Sequence, residues 1–356
     1  MSNIFRDLLR KVGSGNHTSE SLTRAEAADA TKMMLLGEAT PAQIGAFMIA
    51  HRIRRPTGEE LAGMLDAYNE LGPKLQPILS NRPVIVLGIP YDGRTRTAPI
   101  SPITALLLAA AGQPVVMHGG SRLPTKYGLP LVEVWQGLGI DWTQISLSAS
   151  QRVFEQTGIG FVYTPKHFPL TNRIWEYRDQ IGKRPPFATM ELIWCPYAGD
   201  AHIIAGYVHP PTEAMFDTAL AMQQVKQFTT IKGLEGSCDL PRDRTAIIGL
   251  GTQEYVNTIE RLHLVPREYG FTSQNVPLET TSALIADLQA TLAGIGGELM
   301  QSALWNGGFY LWRSGVSRDM KAGITKAEEL ITSGAAAQKL QEIRVLLTSK
   351  HVFQPV

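Results

Sequence analysis

Along the first eighty residues apolar positions recur every three or four residues, and each such segment opens on a polar start signal. Thr23-x-x-Glu26, Thr40-x-x-Gln43 and Thr57-x-x-Glu60 are capping boxes: the threonine oxygen accepts from the N–H three residues on, and the Glu or Gln reaches back. The first helix closes on Met33, Met34 and Leu36 before Gly37. The second has Pro41 at its favoured first position and presents Ile44, Phe47, Met48 and His51. The third carries a stripe of Leu61, Leu65, Tyr68 and Leu71 up to Gly72-Pro73. This pattern predicts a small all-helical unit over residues 1–80.

After Pro83 the pattern changes to short, continuous apolar runs. Val84–Leu87, Val115–Met117, Phe161–Tyr163, Ile203–Tyr207, Phe228–Ile231 and Ala246–Leu250 are rich in Val, Ile and aromatics and read as strands. Helical segments lie between them at Pro102–Ala111, Leu129–Leu138, Ala149–Gln156, His167–Ile181 and Glu213–Val225. Such a series implies an α/β fold in which a mainly parallel central sheet, flanked by helices, fills residues 81–356, with the small N-terminal helical domain packed on it. Ser282–Leu292, Glu298–Trp312 and the chain from Lys326 onward add C-terminal helices, the last behind a further box, Thr325-x-x-Glu328. The sequence shows no 20–50-residue repeat and no low-complexity tract.

Composition narrows the function classes. The 356 residues carry 33 Lys+Arg against 32 Asp+Glu, which excludes a chain that is basic all over, though not a local basic face. Two cysteines, Cys195 and Cys238, without CxxC spacing can form neither a zinc cluster alone nor a disulfide framework, which fits a reducing compartment. Met1–Lys11 lacks a signal-peptide pattern, and the longest apolar run, Ile103–Ala111, is about half of what spans a bilayer. The expectation is a cytoplasmic protein without a membrane partner.

In α/β sheets ligands sit beyond the carboxyl ends of the strands. The first such loop is Gly88-Ile89-Pro90-Tyr91-Asp92-Gly93-Arg94-Thr95-Arg96-Thr97. Between Arg82 and Val132 stand five cations (Arg82, Arg94, Arg96, Arg122 and Lys126) and one acid, Asp92. With His118-Gly119-Gly120-Ser121-Arg122 after the next strand, they suggest two strand ends presenting cations and N–H groups to an anion such as phosphate. The alternative is a set of solvated loop arginines. His118 is the best acid–base candidate among the histidines; His51 and His167 read as structural. No Ser-His-Asp or metal-ligand spacing stands out.

Gly37-Glu38-Ala39-Thr40-Pro41-Ala42-Gln43-Ile44-Gly45-Ala46-Phe47, followed by His51-Arg52-Ile53-Arg54, resembles the N-terminal helical domain of the anthranilate phosphoribosyltransferase family. Similarity continues through Leu107-Leu108-Ala109-Ala110-Ala111-Gly112, Met117-His118-Gly119, Gly137-Leu138-Gly139-Ile140, Gly158-Ile159-Gly160-Phe161 and Thr164-Pro165-Lys166-His167 to Ser333-Gly334. The resemblance implies a helical dimerisation domain, joined in space by helices from about 167–195, and a phosphoribosyltransferase-like α/β domain. It also implies a homodimer that transfers phosphoribose from phosphoribosyl pyrophosphate to an aromatic amine with Mg²⁺. The site residues it marks are Gly88, Asp92, Gly93, Arg94, Arg96, His118, Gly119, Arg122 and Lys126 for phosphate, Arg178 and Arg184 for the acceptor, and Glu235 and Asp239 for the metal.

The motifs also depart from that family. Ile89, Pro90 and Tyr91 stand where its pyrophosphate loop has Thr-Gly-Gly, so an N–H donor is missing and space is filled. Cys238-Asp239 replaces an Asp-Glu pair, which weakens a site for a hard cation. Ala188 to Pro196 replaces the family's Asn-Leu-Leu-Gly-Pro stretch. The chain is similar in these respects to a divergent branch with an Ile-Pro loop. Two functions follow from the resemblance. One is a pentosyl transferase with an altered substrate, in which electrostatic stabilisation of the leaving group carries the rate. The other is an inactive member that binds nucleic acid in a basic groove of Lys166, Arg173, Arg178, Lys183 and Arg184, with Tyr91, Phe168 or Trp175 stacking on bases or packing in the core.

Overall fold

All three capping boxes close in the structure, a computed structural model that describes residues 3–15, 17–252 and 259–348. They start α2 (Arg24–Leu36), α3 (Pro41–Arg54) and α4 (Gly58–Leu71), and Gly37 ends α2 in the left-handed conformation, φ 77°. Before them stands α1 (Asn3–Gly13), a helix not anticipated from the sequence. Its Phe5, Leu8 and Val12 face inward, and Phe5 packs 5.3 Å from Phe47 between ring centroids.

The strands are β1 (Val84–Leu87), β2 (Val115–Gly119), β3 (Ile159–Tyr163), β4 (Ala201–Gly206), β5 (Gln227–Ile231), β6 (Ala246–Thr252) and β7 (Glu260–Leu264). They form one sheet of order β3-β2-β1-β4-β5-β6-β7. β1 to β5 are mutually parallel, with Leu87 in register with both Met117 and Ile204. Helices α5 (Ser101–Ala110), α6 (Leu131–Gly137) and α7 (Leu147–Thr157) make the first crossovers. α8 (Thr164–His167), α9 (Asn172–Gln180) and α10 (Phe187–Met190) lead to β4, and α11 (Pro210–Met222) leads to β5. Residues 232–245 contain no comparable crossover helix, so β6 returns antiparallel from the same end of the sheet, and β7 pairs antiparallel with it. β7 escaped the sequence reading because it is an edge strand whose Glu260, Arg261 and His263 are exposed and polar.

Two further differences have local causes. The segment His167–Ile181 is not one helix: Pro169 holds Phe168 out of helical geometry, and a 3₁₀ turn at Pro169–Thr171 separates α8 from α9. Thr325 starts nothing; it lies inside α14 (Met320–Thr332), where its hydroxyl donates to the Lys321 carbonyl, and Asp319 is the true cap. α12 (Thr281–Leu292), α13 (Glu298–Arg313) and α15 (Ala335–Thr348) complete the chain.

Side chains alternate across the pleat and divide the core in two. Ile85, Leu87, Met117 and Phe161 pack with α5, α13 and α15 on one face; Val84, Val86, Val116 and Val162 pack with Leu61, Leu65 and Tyr68 of the N-terminal helices on the other. The helical unit is therefore the cover of one sheet face. Among the described residues no helix is long and apolar enough to cross a membrane.

Candidate functional site

Strand order reverses between β1 and β4: the chain leaves β1 toward β2 and leaves β4 toward β5, so the two loops diverge and open a crevice. A cleft of about 550 Å³ lies there. Pro90, Asp92, Tyr207, His209 and Glu235 come from the strand ends, Arg184 and Leu192 from the segment before β4, and Arg52 and Arg55 from the helical unit.

The loop after β1 is fastened from within. Gly93, at φ 75°, turns the chain so that Arg94 N–H donates to Leu129 O at 3.0 Å and Leu129 N–H to Arg94 O at 2.8 Å. The next three N–H groups, of Thr95, Arg96 and Thr97, converge on the Glu235 carboxylate at 3.1, 2.9 and 3.0 Å. Such a concavity of successive N–H groups suits an anion, and here the anion is a side chain of the protein itself. Glu235 reaches it from a left-handed backbone conformation, φ 55°. Burial pushes its carboxyl up, but the Arg96 N–H, the Arg94 charge and the Thr95 and Thr97 N–H groups outweigh that and hold it well below the usual carboxylate range.

Arg94, expected to face a phosphate, is 4% exposed and points inward. Its Nη1 donates to Asp239 Oδ2 at 2.6 Å and Ser237 Oγ at 2.7 Å, Nε lies 3.5 Å from Glu235, and Nη2 donates to Thr97. Asp239 also accepts from the Ile100 N–H and the Ser101 hydroxyl. Lys126 Nζ sits 3.4 Å from Glu235. The two carboxylates marked for a metal therefore hold a guanidinium, their oxygens already engaged. The neighbouring Cys238 thiol is buried, donates to Gly88 O and has its pKa pushed up by that burial. Among the described residues no group of three or more His, Cys, Asp or Glu side chains is placed to hold a metal ion. This donor set does not fit Mg²⁺.

The acceptor candidates meet a similar end. Arg178 is 1% exposed and forms a two-point pair with the equally buried Glu191, whose Oε1 also accepts from Tyr68 OH. Burial works against the Arg178 charge, and Glu191 more than restores it. Beside this pair Tyr91 OH meets His118 Nδ1 at 2.6 Å. His118 is fully buried, and burial takes its pKa down to about 3, so it is neutral and offers an anion no charge. Trp194 packs edge-on to both His118 and Tyr68. Tyr91 and Phe168, 4% and 2% exposed, thus belong to the core and offer no face for a base; Trp175 is half-buried against Gly120.

The remaining predicted residues scatter. Gly88 is closed over by the Leu192 carbonyl, 1.9 Å from where a Cβ would stand. Gly119 is buried at the end of β2 and its carbonyl accepts from Thr164. Arg122 pairs with Glu133, and Arg184 with Asp92. Arg96 keeps 78% of its side chain exposed. The sequence reading overlooked Glu191 and the two arginines on the opposite wall, Arg52 and Arg55. These are exposed, and neither has a side-chain hydrogen bond or ion pair among the described residues. The signal was present in His51-Arg52-Ile53-Arg54-Arg55-Pro56, a cationic helix end before a proline. That signal lies ahead of β1, outside the strand-end loops where an α/β sheet places its ligands.

A helical bundle thus caps one face of a mixed sheet, with the cleft at the β1/β4 switch. Residues 6–72 match the glycosyl transferase family helical bundle domain and residues 92–337 the glycosyl transferase family a/b domain, so the chain belongs to this glycosyl transferase family. It is similar to the anthranilate phosphoribosyltransferase of Azorhizobium caulinodans, 27% identical over 342 residues and 95% of each chain. That of Albidiferax ferrireducens is 26% identical over 313 residues, 87% of each. Two solved structures share the fold. The anthranilate phosphoribosyltransferase of Thermus thermophilus superposes with a TM-score of 0.79 at 21% identity, covering 96% of this chain and 100% of that one. The Saccharomyces cerevisiae enzyme in complex with PRPP and Mg gives 0.83 at 16% identity, covering 98% and 99%.

Proposed function

We propose that this chain is a pentosyl transferase of the family with an altered substrate. It takes a phosphorylated ligand in the cleft between the helical unit and the strand ends and does not transfer phosphoribose to anthranilate. The observation that carries this reading is the Glu191 carboxylate on Arg178. A carboxylated aromatic amine would need that guanidinium, and the protein has already neutralised and enclosed it. The N–H concavity of Thr95 to Thr97 is likewise filled by Glu235.

What stays open to an incoming anion is the outer wall, where Arg52, Arg55 and His209 face the cleft. Six prolines, Pro56, Pro90, Pro185, Pro186, Pro210 and Pro211, also line it. Prolines donate no N–H, which shifts the holding of an anion toward side-chain cations. Any transfer would draw its rate from those charges stabilising a departing phosphate or diphosphate. The basic-groove alternative is less well supported, since Arg178 and Arg184 already hold carboxylates and Lys166 donates to the Gln144 carbonyl. Exposed Ile4 and Ile53, 66% and 68%, on α1 and α3 support a homodimer through the helical unit, which light scattering would test.

The direct test incubates the protein with phosphoribosyl pyrophosphate and anthranilate and follows anthranilate fluorescence. No turnover is expected, whereas calorimetry with phosphoribosyl pyrophosphate should show binding that Arg52→Ala/Arg55→Ala weakens. Turnover of anthranilate would refute the reading. Binding of single-stranded DNA, falling steeply with salt while phosphoribosyl pyrophosphate is ignored, would transfer support to the nucleic-acid reading.

A further inference from the structure

We propose that Arg94 is the resident cation of the Glu235/Asp239 cluster, standing permanently where a divalent metal would need to sit, so that this cleft handles its anionic ligand without one. The inference holds whichever anion the cleft takes.

Three observations carry it. First, the guanidinium lies between the two carboxylates, with Nη1 2.6 Å from Asp239 Oδ2 and Nε 3.5 Å from Glu235 Oε1. All three side chains are nearly inaccessible: 4% for Arg94, and 2% each for Glu235 and Asp239. Second, the charges balance locally. Two carboxylates face Arg94 and Lys126, with the exposed Arg96 4.0 Å from Glu235, so a divalent ion would enter a cluster with no surplus negative charge, and would have to displace a buried guanidinium to reach an oxygen. Third, the guanidinium is delivered by fixed backbone. Gly93 at φ 75° and the Arg94–Leu129 bridge set its origin, and the Thr95–Thr97 N–H groups fix the Glu235 carboxylate. An arginine held this way is a rigid fork of donors.

The same geometry states what kind of ligand the cleft accepts. A metal-bridged diphosphate needs carboxylate oxygens on its cation, and these are closed. A phosphate carried as a free anion needs only donors and positive charge, which Arg52 and Arg55 offer at the mouth, with His209 beside them as a further polar group.

The test uses Mn²⁺ alone as the probe, on the full chain. Electron paramagnetic resonance counts bound Mn²⁺, and paramagnetic broadening of the Thr95, Arg96 and Thr97 amides locates it. For wild type we expect no saturable site and no broadening there. Arg94→Ala, which frees Asp239 Oδ2 and leaves that carboxylate without its ion-pair partner, should bind Mn²⁺ at least about tenfold more tightly with those amides broadened. Adding Asp239→Asn to that variant should remove the gain, and Arg94→Lys should remain free of metal. Saturable wild-type binding that broadens Thr95–Thr97 overturns the proposal, as does a folded Arg94→Ala that gains nothing. Should Arg94→Ala fail to fold, the wild-type titration decides alone: broadening at those amides refutes and its absence supports.

Discussion

The buried Arg178–Glu191 pair offers the sharpest test of a guanidinium held by the protein's own carboxylate. Glu191→Gln keeps the shape but leaves a guanidinium that is 1% exposed without its counter-charge. Removing one partner of a buried pair costs about 3–5 kcal/mol, because the remaining charge cannot return to water. Bundle and sheet share a core face through Tyr68, Leu61 and Val86 and are expected to unfold together. With an unfolding entropy of ~2.1 cal/mol/K per residue over 356 residues, that loss lowers the melting temperature by about 4–7 °C. Glu191→Ala deletes the atoms of an acetate ion, so acetate should re-enter beside Arg178. At a hundredfold excess over its Kd it would restore about 2.7 kcal/mol, most of the loss. Differential scanning calorimetry of wild type, Glu191→Gln and Glu191→Ala, with acetate against chloride at equal ionic strength, measures both effects. The reasoning is refuted if Glu191→Gln melts within a degree of wild type, or if acetate stabilises wild type as much as Glu191→Ala.

Arg55 sits at φ 67°, a conformation that strains a residue with a side chain by about 1–3 kcal/mol. Allowing for the flexibility glycine adds to the unfolded chain, Arg55→Gly should raise stability in urea by about 1 kcal/mol while weakening phosphate-ligand binding; a variant that loses both stability and binding contradicts this. His118 and His202 are both fully buried with pKa values lowered to about 3 by burial. Between pH 6.5 and about 3 the unfolded chain takes up protons that the native one refuses, so stability falls as pH drops, by ~1.4 kcal/mol per pH unit for each histidine. Urea titrations at pH 7 and 5 check this, and His118→Gln should halve that contribution; an unchanged slope would sink the assignment. Gly88→Ala places a Cβ 1.9 Å from Leu192 O and 2.9 Å from Ile204 O, both backbone atoms, and should cost about 2–3 kcal/mol by chemical denaturation.

Much of the architecture was readable because its causes are local. A capping box needs four consecutive residues, and a strand such as Val84–Leu87 declares itself by four apolar positions in a row. Where the reading failed, the deciding contact lay outside the window. Thr325-x-x-Glu328 has the letters of a box, but upstream residues continue the helix and Asp319 takes the cap. β7 carries too little apolar signal because one neighbour, β6, supplies its order.

The site was legible in a different way. The sequence by itself determined that cations and glycines follow β1 and β2; through the family resemblance it also raised the expectation that Pro90 and Tyr91 obstruct a diphosphate loop and that Cys238 stands where a metal carboxylate is expected. It could not say which charges meet. Arg94 and Glu235 lie 141 residues apart, Arg184 and Asp92 lie 92 apart, and Tyr68 and Glu191 lie 123 apart. Only the parallel crossovers, which gather loops from distant stretches at one edge of the sheet, bring those groups together. A count of charges along the chain treats each arginine as available. In the folded protein burial makes an unpaired charge costly, so the nearest carboxylate claims it, and among the described residues lining the cleft the arginines without such a partner are those on the opposite wall, Arg52 and Arg55.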